Sequence, residues 1–301
     1  MRVYLLLMMV IGSYAGNVLV GKAMNDLPPL TVTYGRLLVA LVFLSPLGWK
    51  QFWHARSVFW TYKRPFVMLM LTGVTAFNTC IYAALQFTTA TNASILETAV
   101  PVVTLVLSAW YLRETITWAQ GLGSGLAFVG ALTVVTNGQF TQLPSMPWNI
   151  GDGIMLGAIG SWAIYSVVLR LYGHYFPTWG LLWMMTACSL IVLLPWLLVE
   201  WWWQTVPDVS SLPMVSGFLY LGIFPSFLAL LGYNYAVYHI GVSKTVISLN
   251  VVPLATMLGS WYWFDEPITL ALMVGSALVF AGVYLVTRTK TTSNVEEKEA
   301  S

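Results

Sequence analysis

Residues 101–130 read PVVTLVLSAWYLRETITWAQGLGSGLAFVG, and residues 253–282 read PLATMLGSWYWFDEPITLALMVGSALVFAG. Laid one over the other, Pro101 meets Pro253, Thr104 meets Thr256, Ser108 meets Ser260 and Glu114 meets Glu266. Further on, Ile116-Thr117 meets Ile268-Thr269, Gly123-Ser124 meets Gly275-Ser276, Phe128 meets Phe280 and Gly130 meets Gly282. Each stretch is an apolar run, a short polar break and a second apolar run. A slightly smaller offset superimposes the starts of the two halves. Gly12-Ser13-Tyr14-Ala15 falls on Gly160-Ser161-Trp162-Ala163, and Pro28 and Pro46 fall on Pro177 and Pro195. The chain is two copies of one unit.

Composition says what surrounds those units. Of the 301 residues, 58% are hydrophobic and 8% charged, against about 25% charged in a soluble domain. A soluble chain of this kind would expose most of its apolar side chains, so the solvent that suits it is lipid. Crossing about 30 Å of hydrocarbon takes roughly 20 apolar residues in a helix. Such segments recur at Val3–Gly21, Leu30–Gly48, Pro65–Phe87, Ala93–Leu112, Ala119–Thr136, Ile150–Leu171, Thr178–Val199, Met214–Tyr238, Lys244–Phe264 and Ile268–Thr287. Their unbroken hydropathy predicts an all-α membrane protein of about ten transmembrane helices, since a barrel would alternate over segments of about ten residues. The units are then five-helix repeats over residues 1–137 and 150–288, followed by a polar tail, 289–301, expected to be disordered. The opening (Arg2, an apolar run from Val3 to Ile11, then Ser13-Tyr14-Ala15) resembles a secretory signal. It is read instead as a retained first helix, because it recurs at residues 160–163.

Charge orients the spans. With the N-terminus in the cytoplasm, Arg2, Lys50, Arg56, Lys63, Arg64, Arg113, Arg170, Lys244, Arg288, Lys290 and Lys298 all fall inside. Lys22 falls outside, among Asp26, Asp152, Glu200, Asp208, Asp265 and Glu266. Lys and Arg are retained on the cytoplasmic side during insertion, so both termini are expected there, in the cell membrane. Five is odd, so the second repeat enters the bilayer from the opposite side. Inverted repeats give one scaffold two nearly equal arrangements, one open to each face, with a site near the midplane between them. That is the logic of alternating access.

The same features exclude other classes. A net charge of +2 offers no basic cluster for nucleic acid. Cys80 and Cys188 sit singly in apolar stretches, with no disulfide framework, and His54, His174 and His239 lack metal-ligand spacing. No metal or cofactor site is expected. Gly121-x-Gly123-x-Gly125 lacks the strand before it and the Lys-Ser/Thr after it that a phosphate loop needs. No acid/base constellation supports a membrane enzyme.

Two ionisable residues fall inside predicted spans, Arg36 and Glu97. Each lies about 10 Å below the outer end of its helix, so they are expected to form an intramembrane ion pair. Two readings stand: a buried pair that fixes packing, or a Glu97 that binds a substrate amine or a coupling proton. Other polar side chains recur between repeats. Tyr14 and Asn17 correspond to Trp162 and Tyr165; Asn78 and Tyr82 share a helix, and Tyr82 matches Tyr235 beside Asn234; Asn250 corresponds to Thr98. Amphipathic aromatics and amides suit a polar cavity that binds a small-molecule substrate, or interhelical hydrogen bonds within a packed bundle. Pro101 and Pro253 fall mid-helix, as hinges or passive kinks. Gly121, Gly123, Gly125, Gly275, Ser276 and Gly282 read as close-packing positions. Glu114 and Glu266 read as caps for the fifth and tenth helices, and the fifteen Trp residues as an interfacial belt.

Together these residues resemble the drug/metabolite transporter superfamily, EamA type. Gly12-Ser13-Tyr14-Ala15-Gly16-Asn17 with Lys22 is similar to that family's first helix, and Leu27-Pro28-Pro29 with Arg36 to its second. Tyr82-Ala83-Ala84-Leu85 and Ala93 through Pro101 are similar to its third and fourth. Leu112-Arg113-Glu114, Gln120-Gly121 and Gly130 are similar to its fifth, with Pro253, Glu266, Gly275 and Gly282 repeating in the second half. Tyr14 stands where the family commonly has Trp, which Trp162 keeps. The resemblance implies ten helices in two inverted repeats and export of amino acids or related metabolites. An organic-cation carrier using Glu97 is the alternative.

Overall fold

Helices α2 (Pro29–Thr61) and α9 (Thr178–Trp203) show how this chain closes its helix ends. Both begin directly after a proline, Pro28 or Pro177, whose side chain cannot cap the first turn. The first N–H groups of a helix have no partner within it. The acceptor therefore comes from elsewhere in the chain. Glu200 takes the N–H groups of Leu30 and Thr31, each at 3.0 Å, and the Thr31 hydroxyl. Gln51 Oε1 takes those of Trp179 and Gly180, at 3.1 and 3.2 Å.

The computed structural model describes residues 2–112, 116–140, 149–204, 206–229, 232, 249 and 251–288. Among these residues there is no strand. The helices are α1 (Arg2–Ala23), α2 (Pro29–Thr61), α3 (Lys63–Leu69), α4 (Phe77–Leu85), α5 (Ala90–Glu97), α6 (Val100–Leu112), α7 (Trp118–Val135), α8 (Ile150–Tyr172), α9 (Thr178–Trp203), α10 (Leu212–Ile223), α11 (Val252–Phe264) and α12 (Leu270–Arg288). A π-segment, Met70–Ala76, joins α3 to α4, and another, Phe224–Leu228, follows α10. Six stretches are long and apolar enough to cross a membrane: Leu5–Ala23, Pro29–Thr61, Lys63–Leu85, Ala90–Tyr111, Ile150–Tyr175 and Thr178–Trp203. Trp118–Val134, Leu212–Leu228 and Leu270–Val286 are shorter apolar helices.

The second and fourth spans differ from the sequence expectation. The second helix does not stop at Gly48 but runs to Thr61, with a kink at Ala55. Gly48 permits this because Trp183 of α9 occupies the place a side chain would need. Beyond it Phe52 and Phe59 pack edge-on with ring centroids 5.2 Å apart, and Phe59 meets Phe176 at 5.2 Å. The fourth span is two helices, α5 and α6, separated at Thr98-Ala99. Pro101 and Pro253 accordingly lie not in mid-helix but in the first turns of α6 and α11, where the missing N–H would have had no partner anyway. Of the eighth and ninth spans, residues 230–231, 233–248 and 250 lie outside the described residues, as does the tail 289–301.

The helix pairs α2/α9 and α7/α12 make extensive contact. In the second pair backbone meets backbone. A Cβ on Gly123 would sit 2.6 Å from the Gly282 carbonyl oxygen, and one on Gly130 2.7 Å from that of Gly275. Position numbers rise along α7 as they fall along α12, so the two helices are antiparallel. Gly121 and Gly125, by contrast, face open space; of that trio only Gly123 is a packing glycine. The α7 N-terminus carries a capping box, with Thr117 and Gln120 satisfying each other's backbone N–H groups.

One end of the bundle is tied with particular density around residues 85–91. Lys22 donates to the carbonyls of Leu85 and Thr88, at 2.7 and 2.8 Å, closing the C-terminus of α4. Asp152 accepts from the Thr88 hydroxyl at 2.6 Å, and Asn149 donates to the Phe87 carbonyl at 3.0 Å. Asp265, in the left-handed conformation at φ 52°, ends α11 and turns the chain. Glu266 then accepts from the Ala90 and Thr91 N–H groups at the start of α5. Glu266 thus caps α5, across the molecule, rather than the tenth helix; Glu114 lies outside the described residues.

Candidate functional site

Arg36 sits seven residues into α2, on its inward face, and is only 8% exposed. A guanidinium carries five N–H donors and cannot shed its charge in a protein, so its partners decide what the surrounding bundle can hold. Nη1 donates to Asn17 Oδ1 of α1 at 3.0 Å and to the Tyr82 hydroxyl of α4 at 2.6 Å. Nε and Nη2 both donate to Ser226 Oγ, at 3.2 and 3.1 Å. Tyr82 in turn donates to Asn17 at 3.2 Å, closing a triangle. Gly21 leaves room on α1 for the Tyr82 ring.

Ser226 belongs to the second π-segment, and its hydroxyl donates to the Leu221 carbonyl five residues back, at 2.9 Å. The first π-segment repeats the device. Thr75 reaches the Met70 carbonyl at 3.3 Å and meets Ser189 of α9 at 2.8 Å. In each case one half's π-segment turns a hydroxyl toward the other half. π-turns interrupt the regular ladder and recur at functional sites.

The expected ion pair is not formed. Among the described residues neither a hydrogen bond nor an ion pair joins Arg36 to Glu97, because Asn17, Tyr82 and Ser226 surround the guanidinium more closely. Glu97 ends α5 at the Thr98-Ala99 break, half-buried, within electrostatic reach of Arg36 and Tyr82.

The structure brings Asn17, Arg36 and Tyr82 together as one cluster. Tyr14 is half-buried one turn before Asn17. Asn78 is buried, and its amide donates to the Val74 carbonyl at 2.7 Å, tying down the first π-segment. Trp162 packs on Phe77 and Tyr165, at centroid distances of 4.4 and 5.0 Å, and Gly73 makes room for the Tyr165 ring. These rings form an aromatic wall beside the start of α4. Asn234 and Asn250 lie outside the described residues. Sequence reasoning missed Ser226; the available signal was Pro225 within an apolar run, which marks an interrupted helix. A cavity of about 230 Å³ opens elsewhere, among Arg64, Met68, Leu107, Tyr111, Ile164 and Leu171; none of the cluster lines it.

Comparison with known proteins places the whole fold in a family. The EamA-like transporter family matches residues 1–136 and 149–288. The uncharacterized transporter YyaM of Bacillus subtilis is 29% identical over 223 residues, covering 72% of this chain and 71% of that one. A Streptantibioticus cattleyicolor protein named "Probable terminal-alkyne amino-acid exporter" is 29% identical over 263 residues, 85% of this chain and 83% of that one. An uncharacterized transporter of Archaeoglobus fulgidus is 28% identical over 303 residues, 95% and 97%. A solved crystal structure superimposes with a TM-score of 0.61 at 17% identity, covering 94% of this chain and 96% of that one, and so shares the fold. With multiple membrane-length apolar helices and a family of transporters rather than enzymes matching both halves, the chain belongs to the EamA-like transporter family.

Proposed function

We propose that this chain is a secondary transporter of the cell membrane that exports amino acids or related small metabolites by alternating access. In this reading two inverted five-helix repeats, residues 1–137 and 150–288, rock about a shared polar site, with both chain termini in the cytoplasm. The observation that carries it is the reciprocity of contacts between the halves. At the offset that lays Pro28 on Pro177, Gln51 falls on Glu200, and each caps the helix that carries the other. At the offset that lays Pro101 on Pro253, Gly123 falls on Gly275 and Gly130 on Gly282, and each approaches the other's counterpart. Such mutual exchange is what an approximate two-fold axis in the membrane plane produces. The Arg36 cluster spans that seam, since Asn17, Arg36 and Tyr82 belong to one half and Ser226 to the other. The amino-acid exporter among the relatives supports the substrate class.

Glu97 supports a second reading, a carrier of organic cations or drugs with this carboxylate as cation or proton site, because it sits half-buried at a helix break with no hydrogen-bonding partner among the described residues. Efflux from proteoliposomes decides between them. Labelled amino acids and labelled lipophilic amines are loaded in parallel, with and without a pH gradient. Amino-acid flux that survives Glu97→Gln supports the first reading; cation flux alone, abolished by that change, replaces it with the second.

A further inference from the structure

Symmetry separates scaffold from chemistry in this protein. Several features that hold the halves together come in matched sets: the Glu200 and Gln51 caps, the four seam glycines and the two π-segments. The intramembrane charges do not. Under the offset that superimposes Pro28 and Pro46 on Pro177 and Pro195, Arg36 falls on Met185, a buried apolar side chain. Under the offset that pairs Pro101 with Pro253, Glu97 falls on Leu249, which is apolar as well. If a cation at this depth served only to pack helices, the other half does the same job without one. Buried ion pairs are commonly replaceable by apolar side chains with no loss of stability, and charged side chains inside a membrane mark substrate or ion paths.

The geometry of Arg36 narrows what its charge serves. Its partners among the described residues, Asn17, Tyr82 and Ser226, are all neutral. Nη1 is saturated by an amide oxygen and a phenol, which fix the plane of the guanidinium. The other edge is not saturated. Nε and Nη2 present two parallel N–H groups, and Ser226 offers both of them a single oxygen, at 3.2 and 3.1 Å. A carboxylate offers one oxygen to each, at about 2.7–2.9 Å, and this planar fork is what arginine recognises best. Ser226 spends its own proton on Leu221, so toward Arg36 it acts only as an acceptor.

We propose that the Nε/Nη2 edge of Arg36 binds the carboxylate of the transported metabolite, with Ser226 competing for the same edge. Carboxylate-bearing solutes, among them α-amino acids, are then the substrate class, and Asn17 and Tyr82 are positioning residues. The inference rests on the reading of the chain as an amino-acid exporter. It adds a coupling. A carboxylate that takes this edge releases the contact between α2 and the second π-segment, so substrate binding and that link between the halves exclude one another.

The test uses full-length protein in proteoliposomes and three labelled compounds per side chain: the L-amino acid, its carboxamide and its decarboxylated amine. Wild-type protein is expected to prefer the acid over the amide at least tenfold. Arg36→Gln is expected to erase that preference, and Arg36→Lys to keep part of it. Ser226→Ala, which removes the competitor, is expected to lower the half-saturating concentration of the acid severalfold relative to that of the amide. A wild type that carries the amide as well as the acid, or a Ser226→Ala variant that shifts both alike, overturns the carboxylate site. Equal loss of all three compounds in Arg36→Gln, with no selective effect of Ser226→Ala, makes Arg36 a structural residue and does the same. Absence of flux for every member of the panel instead refutes the exporter reading, and the carboxylate site falls with it.

Discussion

Lys22 and Glu200 each do at one atom what their sequence neighbourhood cannot do for itself. By charge distribution Lys22 is the exception among basic residues. Its ammonium satisfies the carbonyls of Leu85 and Thr88 at and just past the end of α4, a placement favoured by the negative end of the helix dipole. Glu200 satisfies the start of a helix that proline leaves uncapped. Replacing Glu200 with Ala should cost about 1–2 kcal/mol, read as a lower melting temperature in detergent. Glu200→Gln should recover most of that, because Gln51 already does the equivalent work as a neutral amide. At this scale the sequence was partly legible. Asn17, Arg36 and Tyr82 stood out as polar groups in apolar runs, and they do cluster. Ser226 did not stand out, because serine is common in membrane helices and its position depends on a π-turn that hydropathy does not register. The Arg36–Glu97 pairing was inferred from equal depth, and depth says nothing about which way two side chains turn around their helices.

Among elements, the close approach of α7 and α12 depends on four glycines, and it yields a paired prediction. Gly130→Ala would bring a Cβ to 2.6 Å from the Val279 backbone nitrogen and 2.7 Å from the Gly275 carbonyl. Backbone cannot rotate away, so the helices must part, at a cost of about 1–3 kcal/mol. Gly125→Ala, on the same helix but facing open space, should stabilise by up to about 1 kcal/mol through helix propensity alone. Thermal unfolding of both variants in one detergent checks the contrast; equal destabilisation would mean that the α7/α12 contact is not where the glycines place it. Among the described residues, apolar runs located the starts of most helices to within a few residues, since lipid demands length and hydrophobicity and little else. Interruptions were harder to see. Thr98-Ala99 carries no breaker ahead of Pro101, and Gly48, which looked like a terminus, is a contact.

For the whole molecule, the matched identities of the two halves and the asymmetry of basic residues were readable from sequence, the second as an expectation of orientation. The trans caps were not. Gln51 lay beyond the expected end of its helix, and it differs from Glu200 in charge, so nothing marked the two as counterparts. Orientation gives the test at this scale: reporter fusions at both termini should report the same, cytoplasmic side, and opposite sides would dismantle the inverted arrangement. One consequence of the long-range caps concerns time rather than space. The start of α2 waits for an acceptor 170 residues further along, and the start of α5 for one 176 residues further. At roughly 5–20 residues per second of synthesis, the first half stays in the membrane for on the order of ten seconds or more with those amides unclaimed. A nascent chain released before Glu200 and Glu266 emerge lacks the acceptors that close the starts of α2 and α5.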